Sequence, residues 1–145
     1  MALKARIKDE MKAALLSGDR FVGETLRNLT AAILDEEVKL GKRDEGLSDE
    51  EIEKVVAREV KKRNESAKIY RDNNRPDLAE PEEREIEILQ AYLPKQLDET
   101  ELAAIIEAKI AELSVTGPQA MGQVIGAVKK QVGNAADGAA IARIV

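Results

Sequence analysis

The sequence predicts an all-α protein: an N-terminal domain of four helices, two of them long, followed by a small C-terminal domain of three. Three observations predict it. Ala, Leu, Ile, Glu and Lys dominate a chain of 145 residues that is 35% charged, a composition that favours helix. Apolar residues recur at intervals of three and four, with no convincing strand pattern. Capping signals stand where the periodic runs begin.

The elements follow in order. The first helix spans about residues 2–17, with Leu3, Ile7, Met11, Ala14 and Leu15 on one face, and Gly18 suits its C-terminal cap. The second runs from about Asp19 to Leu40 and turns Val22, Leu26, Leu29 and Ile33 inward. GKRDEG, residues 41–46, is a polar loop. Leu47-Ser48-Asp49-Glu50-Glu51-Ile52 then reads as a capping box: Ser48 takes up free N–H groups, Glu51 reaches back to Ser48, and Leu47 clips against Ile52. The third helix runs to about Asn73, burying Ile52, Val55, Val56 and Val60, and Arg75-Pro76 ends the run.

A fourth helix at about 80–92 carries Ile86, Leu89 and Leu93 and is stopped by Pro94. Leu97-Asp98-Glu99-Thr100-Glu101-Leu102 repeats the cap logic with Asp98 as N-cap, and a fifth helix follows to Leu113. Gly117-Pro118 opens the sixth, Gly133 closes it, and Asp137 caps a short last helix. The natural division lies near residues 94–97, giving domains 1–94 and 95–145.

Composition removes whole classes of chemistry. There is no cysteine and no histidine, so disulfides, Cys or His nucleophiles and the common zinc sites are excluded. No phosphate-binding glycine loop, serine-hydrolase elbow or metal-ligand spacing is present. The carboxylates stand in acidic runs on helix surfaces, among them Glu36-Glu37, Asp49-Glu50-Glu51 and Glu82-Glu83. The expectation is no cofactor, no metal and no catalysis by this chain alone. The start, MALKARIKDEMK, has no apolar core of a signal peptide, and no run approaches the roughly 18 apolar residues of a membrane span. A cytoplasmic protein without a membrane partner is expected. The net charge of −5 argues against generic nucleic-acid binding, and no DNA partner is expected.

Two features invite a binding role. In QAMGQVIGAVKKQVG, residues 119–133, Gly122, Gly126 and Lys130 fall on one helical line, and Met121, Val124, Ile125 and Val128 on another. One reading is a close-packing groove for a neighbouring helix. The other is a bare strip that meets a nucleic-acid backbone, with Lys129 and Lys130 on phosphates. Arg58, Lys61, Lys62 and Arg63 form a second, basic stripe on the third helix. It is either a solvated face with pairs such as Glu59–Arg63 and Glu65–Lys68, or a docking face for phosphate or an acidic partner. Tyr70 and Tyr92 suit half-buried positions better than base stacking.

Several segments together resemble a known family: KKRNES at 61–66, Tyr70, Arg75-Pro76-Asp77-Leu78, Glu85, AYLPKQLDETEL at 91–102, MGQVIG at 121–126 and GNAADG at 133–138. The chain is similar to the YqeY family over essentially its whole length. Its back part also resembles the C-terminal tail of the GatB subunit of the glutamine-dependent aspartyl/glutamyl-tRNA amidotransferase. The resemblance implies an all-α fold and a tail domain that helps hold tRNA, or a tRNA-handling complex, by shape. It also implies a carbon–nitrogen ligase label inherited from an enzyme whose reacting domains this chain lacks. Gly122, Gly126, Gly133, Ala136, Asp137 and Gly138 match the tail pattern, and Lys129, Lys130 and Arg143 become candidate RNA contacts. The pattern departs at Gln123, where the family often carries lysine, and at Ile125, where it often carries methionine. The alternative is a helical protein–protein interaction module that binds no RNA.

Overall fold

The computed structural model describes residues 2–113 and 120–145, and these form seven α-helices with no strand among the described residues. They are α1 (Ala2–Ser17), α2 (Arg20–Lys39), α3 (Asp49–Asp72), α4 (Pro76–Gln90), α5 (Glu99–Leu113), α6 (Met121–Val132) and α7 (Gly138–Ile144). The chain divides into a front unit ending at Leu93 and a back unit, Pro94–Val145.

In the front unit α1 and α2 form an antiparallel hairpin. Gly18 supplies the turn at φ 85°, a left-handed conformation that favours glycine. Asp19 caps α2 by accepting the Val22 N–H at 3.3 Å. Gly23 is buried where the hairpin closes, and a Cβ there would collide with the Leu15 side chain. Leu15, expected inward, lies at this edge with 44% of its surface exposed. The capping box forms in full: Ser48 Oγ accepts the Glu51 N–H at 3.2 Å, and the Ser48 N–H donates to Glu51 Oε1 at 3.0 Å. Leu47 and Ile52 on either side are wholly buried. With Leu26, Leu29, Ile33, Val56 and Leu89 they fill the front core, each side chain contributing on the order of 1.5–3 kcal/mol.

α4 starts earlier than the periodicity suggests. Proline lacks an N–H that is unsatisfied in a first helical turn anyway, so Pro76 opens α4 at its N1/N2 position. The break is confined to residues 73–75, where Asn74 takes φ 58° and the Arg75 N–H returns to the Tyr70 carbonyl at 2.7 Å. Glu37 is the other departure. It is buried, not on the surface: Lys4 Nζ lies 2.6 Å from its carboxylate, which also accepts the Leu47 N–H at 3.4 Å.

The back unit packs α5, α6 and α7 around Leu102, Ile106, Val124, Val128, Ala136 and Ile141. Asp98 accepts the Glu101 N–H at 2.7 Å and starts α5. Asp137 accepts the Ala139 N–H at 2.5 Å and starts α7. The expected opening of the sixth helix at Gly117-Pro118 lies outside the described residues.

Candidate nucleic-acid interface

On α6 the two lines separate as the helical period requires. Val124 and Val128 are buried, while Gly122, Gly126 and Lys130 lie on the exposed side. A Cβ at Gly122 or Gly126 would meet no described atom within 4 Å. The glycines are therefore not at a helix crossing among the described residues, and the strip is open backbone. Gln123 is exposed beside it. Lys130 has no ion pair or side-chain hydrogen bond among the described residues.

The other predicted cations differ from Lys130. Lys129 is half-buried and donates to the carbonyls of Gly133 and Ala136, each at 2.8 Å. Arg143 pairs with Glu99 at 2.6 Å, with both side chains well exposed; a surface pair of this kind contributes little and yields to competing anions. On α3, Arg58 is 2.9 Å from Glu36, and Arg63 lies between Glu59 at 3.1 Å and Glu85 at 2.6 Å. Burial works against the Arg63 charge, but the two carboxylates outweigh it and its pKa is raised. Lys61 and Lys62 are exposed and have no ion pair among the described residues. Lys68 pairs with Asp72 at 2.8 Å instead of with Glu65. The basic stripe is thus half committed to internal pairs.

Tyr92 offers no stacking platform. Tyr92 is 5% exposed, its hydroxyl donates to Glu10, and the Arg6 guanidinium lies 4.8 Å from its ring centroid. Burial and the Glu10 carboxylate push its pKa up, while the bond from Tyr92 helps pull that of Glu10 down. Tyr70 is half-buried. Among the described residues no group of three or more acidic side chains could hold a metal ion, and no helix is long and apolar enough to cross a membrane.

Sequence reasoning missed the turn after α6. Gly133 adopts φ 57°, and four consecutive carbonyls then find donors from outside the turn. Lys129 serves Gly133 and Ala136, the Gln96 amide serves Asn134 at 3.0 Å, and the Leu97 N–H serves Ala135 at 2.9 Å. The signal in the sequence was a lysine four residues before a terminal glycine, since lysine near a helix C-terminus can bond the last carbonyls.

The described residues define an all-α protein whose accessible polar chemistry lies on open helix faces. The Yqey-like protein family model matches residues 4–145, and the chain belongs to that family. It is 30% identical over 79% of its length to altered inheritance of mitochondria protein 41, mitochondrial, of Lachancea thermotolerans, covering 61% of that protein. To the protein of the same name from Eremothecium gossypii it is 34% identical over 77% of its length, again covering 61% of the relative. The chain thus spans about three fifths of the length of these curated relatives. Their names correct the cytoplasmic expectation, because these relatives are mitochondrial proteins. The charged residues at the start of the sequence spoke only against a secretory leader and could not assign a compartment.

Proposed function

We propose that this protein is a non-catalytic accessory factor that holds folded tRNA, alone or within a tRNA-handling complex such as an amidotransferase, through the exposed face of α6. The observation that carries the reading is the strip at Gly122 and Gly126, open among the described residues, leading to Lys130, which has no partner among them. Bare backbone admits a sugar–phosphate chain to close range, and a lysine at the end of the strip supplies a phosphate contact. Recognition of RNA by shape and backbone needs no array of aromatics, and only 2% of this chain is aromatic. The resemblance to the amidotransferase tail supports the same assignment. The carbon–nitrogen ligase label belongs, in this reading, to the larger enzyme.

A fluorescence titration with total tRNA at two salt concentrations tests the proposal, with Gly126→Leu and Lys130→Ala beside the wild type. Binding is expected to weaken with salt and with each substitution. Absence of binding at low salt, or binding indifferent to both variants, overturns it. Lys61 and Lys62, exposed and without an ion pair among the described residues, favour a second reading, a helical module that docks an acidic protein partner. A crosslinking pull-down that recovers RNA alone would defeat that second reading.

A further inference from the structure

We infer that Lys129 is an internal clasp and not an RNA contact: its ammonium closes the turn after α6, and Lys130 is left as the outward-facing cation on that helix. The clasp rests on geometry. After Val132 the chain tightens into a single 3₁₀ turn, Gly133–Ala135, and then leaves the helix, so the α-helical ladder no longer supplies donors for the carbonyls of residues 133–136. Lys129 satisfies the first and last of them at 2.8 Å, and Gln96 and Leu97 satisfy the two between. Lys129 is also in the last turn of α6, where the negative end of the helix dipole favours a cation.

A phosphate could recruit Lys129 only by breaking its two charge-assisted hydrogen bonds to the Gly133 and Ala136 carbonyls. Lys130 has no such commitment. Adjacent lysines in one motif therefore divide the work, one holding the turn and the other facing solvent. The same geometry ties the AYLPKQL segment to the GNAADG segment. Gln96 and Leu97 from the first segment bond Asn134 and Ala135 in the second.

The assignment of Lys130 to RNA rests on the function proposed above; the clasp does not. Side-chain ammonium NMR of the wild-type chain tests the clasp directly. The Lys129 ammonium should exchange slowly with solvent and show coupling to the Gly133 and Ala136 carbonyls, while that of Lys130 exchanges fast. In Lys129→Met, exchange of the Leu97 amide hydrogen should accelerate by about tenfold or more as the turn opens locally, with no such change in Lys130→Ala. In tRNA titrations Lys130→Ala should lower the salt slope by about 0.7 to 0.9, the value for one phosphate, and Lys129→Met should leave it unchanged. A Lys129 ammonium that exchanges as fast as that of Lys130 overturns the clasp. So does a Lys129→Met variant that lowers the slope while Leu97 exchange stays the same. If the wild type binds no tRNA, the proposed function fails, and the two exchange measurements still decide the clasp.

Discussion

α3 and α6 carry the two basic clusters of the candidate interface, and they use their charge differently. α3 is rich in Arg and Lys, yet Arg58, Arg63, Lys68 and Arg71 are each held by a carboxylate of the front unit. α6 has only Lys129 and Lys130, and Lys130, beside the exposed glycines, has no partner among the described residues. The difference teaches that the density of basic residues in a sequence does not measure free positive charge. What counts is how many carboxylates and carbonyls the fold brings within reach. In the front unit it brings many, because long helices in hairpins align charged edges. In the back unit the helices are short and the α6 face opposite the core is bare.

Removing the cation that pairs with the buried Glu37 should have the largest effect. Lys4→Met leaves the Glu37 carboxylate, 2% exposed, without its cation, and should cost about 3 kcal/mol in urea unfolding, since one half of a buried pair left alone is strongly unfavourable. Ser48→Ala removes half of the capping box and should cost about 1 kcal/mol. Gly126→Ala sharpens the contrast from the other side. The position is helical and open, so alanine should raise stability by up to about 1 kcal/mol while weakening tRNA binding. A thermal melt beside the titration separates the two effects. Lys68→Ala breaks an exposed i,i+4 pair and should change stability by no more than about 0.5 kcal/mol.

The smallest effect is one of pH. The Lys42 ammonium, with the backbone N–H of Ser48, holds the Glu51 carboxyl down at about 2, from an ordinary 4.5. The folded value lies below the unfolded one, so the contribution is present above pH 4.5 and is lost as pH falls towards about 2. A carboxyl NMR titration should find that midpoint in the wild type and find it moved upward in Lys42→Met.

Much of the fold was legible because its signals are local. Ser48 and Glu51 lie three residues apart, as do Asp98 and Glu101, and each forms its bond within one turn. The apolar stripes of α2 and α5 likewise follow from the helical period. The start of α4 was less legible, because Arg75-Pro76 reads equally as the end of one helix or the beginning of the next. The glycines and lysines of the candidate site stand out in the sequence, but that Lys129 bonds the Gly133 and Ala136 carbonyls does not. Whether Lys129 faces out or folds back depends on the left-handed turn at Gly133 and on carbonyls up to seven residues away.

The sequence by itself determined the helical class, the caps, the core stripes and the absence of cysteine and histidine, because these depend on residue identity and on spacings of three or four. Only the tertiary structure decided which charges are free. It buried Glu37 against a lysine 33 residues away, placed Arg63 between Glu59 and Glu85, and left no described atom against Gly122 and Gly126. The reason is physical: an ion pair or an open face is set by distances between segments, and those distances exist only once the helices have packed.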